Sequence, residues 1–341
     1  MKRWGFGLIG CGAIADVHLK ALAELDRARI VGVSSRTEER ARSTGGQWKC
    51  GWTTDYRKLL ADPEVEIVCV TTSSGTHGPI GLEAIRAGKH LVVEKPIAMT
   101  SAEAEAMVME AERNGVTLSV IAQNRFYDHH RWIKRVVEEG RIGKLLLAEI
   151  SRPYYRTQAY YDSADWRGTI AEDGGALMNQ GIHSIDLLLW IAGGVRSVNG
   201  RTATLTHRME AEDLGLAILT MENGAFATVM CSTSMAPGFE PTFHLYGEKG
   251  AIRVEGSRVV HWSVPDVPLP DSLQHLESKS SAADPRNVSH QYHQLQLLDV
   301  MDAIEAGRAP LVTGRDGMAA VRLIEMIYRS SGSDGLSIEA R

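Results

Sequence analysis

Short apolar runs alternate with mixed stretches through the first third of the chain. Residues 6–9 are mostly apolar and end in glycines, which predicts a buried parallel strand. A helix is expected from Ile14 to about Leu25, a second strand over 29–34, and the start of a second helix over 38–43. Residues 56–61 read as a short helix ahead of Pro63, and 67–71 as a third strand. Residues 79–87 form a helix stopped by Gly88, and 91–93 a fourth strand. Ser101 is the expected cap of a helix that carries Glu103 and Glu105 in its first turn and closes over 110–115. Residues 117–122 complete a fifth strand. Strands and helices alternating at such short intervals mark a doubly wound parallel sheet.

The pattern changes after about residue 125. A helix over 132–139 ends at Gly140. Strand-like runs follow at 145–150, 195–205, 214–221, 225–233, 242–247 and 251–254, several with no helix between them. That implies an open, mostly antiparallel sheet. Residues 263–289 hold Pro265, Pro268, Pro270, Pro285 and many serines without periodicity, so a long loop is expected. Helices return at about 290–306 and 316–330. A chain of 341 residues is long for one core, and the expectation is two domains, 1–125 and 126–341.

Charge and cysteine usage narrow the partners. The net charge of −5 is spread without a block of like charges, which argues against nucleic acid or an anionic membrane as partner. Cys11, Cys50, Cys69 and Cys231 are far apart and read as buried thiols of a reducing cytoplasm. The apolar stretch after Lys2-Arg3 is broken by Gly10-Cys11-Gly12 and Asp16, so no signal peptide is expected. No run of about 18 apolar residues suggests a membrane span.

Candidate chemistry begins where the first strand meets the first helix. Gly10-Cys11-Gly12-Ala13-Ile14-Ala15 has the GxGxxA pattern of a dinucleotide loop. Gly10 permits the tight turn, Gly12 lets the backbone approach a pyrophosphate, and Ala15 lets helix and sheet pack closely. The helix N-terminus, with Ala13 and Ile14, stabilises the anion. Enzymes using NAD tend to carry an acid at the end of the second strand. Here stand Ser34-Ser35-Arg36, with Arg40 one turn on. Hydroxyls and arginine suit a 2′-phosphate, so NADP(H) is favoured and NAD(H) stays open.

Glu94-Lys95-Pro96 follows the fourth strand, at the sheet edge where ligands bind. A lysine there can neutralise an alkoxide or relay a proton; its plainer reading is a surface lysine in a turn. A second cluster runs from Gly174-Gly175 to Asp186. Asn179, His183 and Asp186 have the spacing of one helix face, Met178, Ile182, Ile185 and Leu189 that of a core-facing stripe. Asp173 is the expected cap and Gly193-Gly194 the stop.

With these motifs the sequence resembles the Gfo/Idh/MocA family, the relatives of glucose-fructose oxidoreductase and inositol dehydrogenase. The resemblance covers essentially the whole chain. It rests on the glycine loop, Glu94-Lys95-Pro96, Trp166-Arg167, the Asn179–His183–Asp186 helix, and the C-terminal His293-Gln294-Leu295-Gln296 leading into Asp302–Gly307. It implies a Rossmann domain followed by a substrate-binding and oligomerisation domain, with the C-terminal helices packing back on the first. The open sheet is then the surface of a homodimer or homotetramer. It also implies Lys95 beside a substrate hydroxyl, often with a cis Lys-Pro bond, and His183 as acid/base, with Asn179 third in the catalytic set. Thr71, Thr72, Ser73, His77 and Glu94 would line the cofactor, and Asn124, Trp166 and Arg167 the nicotinamide and substrate. Arg125, Tyr154 and Tyr155 are further candidates for the sugar pocket, though both tyrosines could equally be sheet surface.

One departure stands out: many members carry aspartate where this chain has Asn179, so any proton role passes to His183 and Lys95. No metal is expected, because the remaining histidines show no ligand cluster in the sequence; His129-His130 read as the cap of a helix start. The function expected is hydride transfer between NAD(P) and a secondary alcohol or ketone of a sugar, sugar derivative or cyclitol. The alternatives are a redox-neutral glycosidase of the same fold and a dinucleotide-sensing regulator.

Overall fold

The computed structural model describes residues 2–274 and 289–340. In chain order the elements begin β1 (Trp4–Ile9), α1 (Ala13–Ala23), β2 (Ala28–Ser34), α2 (Glu38–Trp48), β3 (Gly51–Thr53), α3 (Tyr56–Ala61) and β4 (Ile67–Val70). They continue with α4 (His77–Arg86), β5 (His90–Val93), α5 (Ser101–Asn114), β6 (Leu118–Val120), α6 (Asp128–Glu138), β7 (Leu145–Pro153) and α7 (Gln158–Tyr161). Next come α8 (Ile182–Ala192), β8 (Val195–Ala203), β9 (Leu214–Met221), β10 (Phe226–Ser232), β11 (Thr242–Gly247), β12 (Ala251–Glu255) and β13 (Arg258–Ser263). The chain closes with α9 (Asp271–Gln274), α10 (Gln291–Ala306), α11 (Gly314–Gly332) and β14 (Ile338–Glu339). Two compact units emerge, one of Met1–Gln123 with Ser289–Met318 and one of Asn124–Val288 with Ala319–Arg341.

The first unit holds a six-stranded parallel sheet in the order β3-β2-β1-β4-β5-β6. This is the Rossmann order, with its switch point between β1 and β4. Because all strands run the same way, the loops after β1, β2, β4 and β5 share one edge. Phe6, Leu8, Ile67 and Val92 are buried in the sheet, and α1 packs Leu19 and Leu22 into the same core as Leu297, Val300 and Met301 of α10.

The second unit holds an eight-stranded sheet, β13-β12-β11-β7-β10-β9-β8-β14. Only β7 and β10 pair in parallel; every other pairing is antiparallel. Its strands alternate buried and exposed positions, as in β9, where Gly215, Ala217 and Leu219 point inward. That is the mark of a sheet covered on one face.

Several expectations shift. The second helix runs on through Gly45 and Gly46 to Trp48, because packing on β3 overrides the two glycines. The strands β3, β13 and β14 were not anticipated; β3 and β14 are two or three residues long, too short to show a period. The long loop expected over 263–289 contains α9, and residues 275–288 lie outside the described residues. α6 starts at Asp128 and its N-cap is Tyr127, so His129 and His130 are buried first-turn residues and not caps. Cys69 and Cys231 are buried thiols as expected, while Cys11 and Cys50 are only partly covered. No helix among the described residues is long and apolar enough to cross a membrane.

Leu19 is fully buried between the first sheet and α10. Leu19→Ala should cost about 2–5 kcal/mol of stability through lost burial and the cavity left behind. A guanidinium melt with an unchanged slope and a lowered midpoint would register it.

Candidate active site

The glycine loop is built for an anion that the protein itself does not supply. Gly10 has φ +108°, and a Cβ there would come within 2.7 Å of the Thr71 backbone. Gly12 is the N-cap of α1, and a Cβ on it would meet no protein atom within 4 Å. No side chain caps α1, so its first N–H groups are open at that spot. Open space and uncapped donors at a helix N-terminus fit a dinucleotide pyrophosphate. Ala13 and Ile14 form the first turn. At the end of β2, Ser35 is tied by its N–H to Thr53 O (3.2 Å), while Arg36 and Arg40 are exposed. The Arg40 charge reaches the Cys11 thiol, whose pKa is nevertheless pushed up by burial.

The loop after β4 is locked to the glycine loop. Thr71 Oγ1 donates to Gly10 O at 2.7 Å, and Thr76 Oγ1 donates to Thr72 Oγ1 at 2.7 Å. Ser73 precedes the short turn Ser74–Thr76 as its N-cap residue, without a capping bond from its side chain. His77 is buried, with Nδ1 2.7 Å from Pro96 O and Nε2 3.2 Å from Thr72 O. It fastens this loop to the one carrying Lys95, and burial holds its pKa down. The Lys95-Pro96 peptide is cis.

Glu94 shows a feature that the sequence hid. His18 Nε2 of α1 donates to its Oε1 at 2.8 Å, His293 Nε2 of α10 lies 3.6 Å from the same oxygen, and the Lys95 N–H donates to Oε2 at 3.2 Å. The three side chains are buried, and their ligand-type atoms lie within 4.8 Å of one another. This corrects the expectation that the remaining histidines form no ligand cluster. Burial pushes the Glu94 carboxyl up, but the hydrogen bond from His18 and the nearby His293 ring outweigh it, and the group stays well below the usual carboxylate range. Burial holds His18 neutral. The His18 position follows from α1 periodicity; His293 comes from far along the chain, and no local pattern joins it to Glu94.

In the second unit the Asn179–His183 segment is not a uniform α-helix. Ala176–Gly181 is a π-helical turn that leads into α8. Asn179 lies within the π-turn, while His183 and Asp186 lie three apart in α8. Asn179 and His183 remain partly exposed, whereas Asp186 is buried and takes a fork of two bonds from Arg125, Nε at 2.9 Å and Nη2 at 2.6 Å. Arg125, expected to line a sugar pocket, is therefore bound up in a buried ion pair. Asp173 does not cap the helix either. Gly175 is the N-cap, and Asp173 accepts from Gly168 N (2.8 Å) and Asn179 Nδ2 (2.5 Å). A Cβ at Gly175 would strike Glu212 Oε2 at 2.0 Å, which explains the glycine.

Asn124 lends its carbonyl to His130 Nδ1 at 2.8 Å. Trp166 and Arg167 stack, with the guanidinium 4.5 Å from the ring centroid, and Arg167 Nη1 donates to Tyr160 Oη at 2.6 Å. Tyr154 is buried and its hydroxyl accepts from Arg152; Tyr155 lies at the surface. The first unit thus gathers Gly10 to Ile14, Ser35, Arg36, Thr71 to Ser73, Glu94 and Lys95 at one sheet edge, and the second gathers Asn179, His183, Trp166 and Arg167 around the π-turn.

Two family models match the chain. "Oxidoreductase family, NAD-binding Rossmann fold" covers residues 4–122, and "GFO/IDH/MocA C-terminal domain" covers residues 130–253. The chain belongs to the Gfo/Idh/MocA family of oxidoreductases. It is 32% identical to the WlbA dehydrogenase of Bordetella pertussis, solved with NADH and UDP-GlcNAcA, with TM-score 0.90 over 100% of this chain and 98% of that one. It is 27% identical to scyllo-inositol 2-dehydrogenase (NADP(+)) IolW of Bacillus subtilis, over 95% of this chain and 93% of the relative. It is 29% identical to inositol 2-dehydrogenase 2 of Saccharopolyspora erythraea, over 95% and 92%. The family match makes the chain an NAD-binding oxidoreductase acting on CH–OH groups.

Glu212 supports the π-turn from below: its Oε1 accepts from Leu177 N at 2.9 Å and from Tyr328 Oη at 3.1 Å. Burial raises its pKa to about 7, and Asp213 adds to the rise. The native state therefore keeps a proton that the unfolded chain releases, and stability should fall as pH rises from the ordinary carboxylate range to about 7, then level off. Glu212→Gln should abolish that slope and be more stable above pH 7 by about 3 kcal/mol. Denaturant melts at pH 5 and pH 8 measure the difference.

Proposed function

We propose that this protein transfers a hydride between nicotinamide and a secondary alcohol or ketone carbon of a sugar, sugar derivative or cyclitol. The observation that carries the reading is Lys95, set directly after β5 at the sheet edge that also carries the uncapped glycine loop. Bound there, the nicotinamide supplies the hydride acceptor. His183 takes the hydroxyl proton, Lys95 stabilises the developing oxyanion, and Asn179 orients a substrate hydroxyl. The relatives named as inositol dehydrogenases, and the WlbA complex with a nucleotide sugar, support a polyhydroxylated ring as substrate. With the hydride going to the nicotinamide and the proton to His183, the step needs no metal.

NADP(H) is the favoured cofactor, on Ser35, Arg36 and Arg40 in place of an acid at the end of β2. Relatives use either form, NADP(+) in one name and NADH in one complex. The reaction is assigned to the cytoplasm, in keeping with four free cysteines. Leu216, Ile218 and Phe226 stand exposed on β9 and β10, which favours a homodimer or homotetramer through the open sheet.

Lys95→Ala should lower kcat by about 10²–10⁴-fold while leaving dinucleotide binding in place. Absorbance of the reduced nicotinamide over a panel of sugars and cyclitols gives the rate, and cofactor fluorescence gives the binding. Full turnover by the variant would sink the mechanism, and turnover without net cofactor consumption would point to a glycosidase. Arg36→Ala should raise the KM for NADP(H) about tenfold relative to that for NAD(H), the loss of one charged hydrogen bond.

A further inference from the structure

We propose that the substrate carries an oxyanion, a carboxylate or a phosphate, received by the arginine–tyrosine stack that runs from the end of β7 to Arg167. Arg152, Arg156 and Arg167 alternate in this stack with Tyr154 and Tyr160. The guanidinium of Arg152 lies 4.7 Å from the Tyr154 ring centroid, with Arg156 at 5.3 Å. Arg156 lies 5.7 Å and Arg167 4.2 Å from the centroid of Tyr160. Rings attract cations but carry no net charge, so they cannot neutralise the guanidinium groups of Arg152 and Arg167.

The hydrogen bonds of Arg152 are to neutral groups. It is 7% exposed, and its Nη1 donates to Ser184 Oγ and its Nη2 to Tyr154 Oη, both at 2.9 Å. Its Nε is buried without a partner. Among the described residues, no carboxylate lies within 4.0 Å of the Arg152 or Arg167 guanidinium, while in the same unit buried Arg125 has its full fork on Asp186. Asp173, whose charge reaches Tyr160, accepts from Gly168 N and Asn179. A buried arginine lacking a counter-ion is unfavourable unless an anion arrives, and a planar fork matches carboxylate or phosphate geometry. Ser184, which holds Arg152, follows His183 directly, so the stack is anchored beside the proposed proton acceptor. Burial already presses the Arg156 pKa down, which an anion would relieve.

The inference rests on the proposed reaction for the identity of the site, and binding is read without turnover so that the two can fail separately. Calorimetry on the full chain with NADP+ or NAD+ compares matched probes: uronic acids, the corresponding neutral aldoses, sugar phosphates, UDP-linked sugars and inositols. The expected result is that the tightest ligand is anionic and binds at least tenfold better than its neutral counterpart. The carboxylate and phosphate arms tell the two sources apart. Arg167→Gln, at a half-buried position, should cut that ratio at least tenfold, and Arg152→Lys, which keeps the charge but loses the fork, should cut it three- to tenfold. Melting curves check that both variants are folded. A neutral best ligand, or a ratio unmoved in Arg167→Gln, overturns the proposal and leaves the stack a packing device. Anion-selective binding with no hydride transfer would keep it and remove the proposed reaction instead.

Discussion

The buried carboxylate of Glu94 is the constraint on which the cofactor edge depends. A lone carboxylate in a sheet interior is strongly disfavoured, and here donors from α1, α10 and its own loop hold it ionised. α1 begins at the glycine loop and α10 returns from the far end of the chain, so one anion ties together the helix behind the glycine loop, the turn that carries Lys95 and α10. The His77 bridge from Thr72 O to Pro96 O adds the loop after β4 to the same assembly. Lys95 thus sits on a loop fixed from several sides.

The second unit solves a related problem with different means. Arg125 and Asp186 neutralise each other in the interior beneath α8, an arrangement whose one-sided removal is expensive. Glu212, whose carboxylate accepts from Leu177 N and Tyr328 Oη, is held near neutrality by burial instead, and these two bonds place the start of the π-turn. The Arg152 stack follows neither pattern. A paired charge, an acid held near neutrality and, at Arg152, a guanidinium bonded to neutral hydroxyls lie in one unit.

Local signals carried most of the fold. β9 and β11 fall on the expected residues because alternation and turn residues both mark them. The parallel strands were visible as apolar runs with helices between them, and the Rossmann order follows from that alternation. What was not legible depends on tertiary packing. The π-turn has the same composition as an α-helical turn, and it forms where Gly175 meets Glu212 and Gly181 lies against Cys231, contacts 37 or more positions away in the chain. Arg125 looked like a pocket residue because its partner is 61 positions on. His293 and Glu94 could not be joined from spacing at all. The glycine loop and Lys95 were legible because their chemistry is local to one turn each.

The same logic bears on Asn179, in the π-turn. Its Nδ2 donates to Asp173 Oδ1, and its Oδ1 lies 3.3 Å from Gln180 Nε2. The first contact fixes which way the amide faces, because a carboxylate can only accept. A carboxylate is therefore present one hydrogen bond from position 179, held in place by Gly168 N. Asparagine here removes a proton acceptor from the helix without removing negative charge from its surroundings. An aspartate at 179 would set two carboxylates against each other across that short contact, and one of them would have to take up a proton. The amide and Asp173 thus act as one hydrogen-bonded unit in which the carboxylate holds the charge and the amide donates to it.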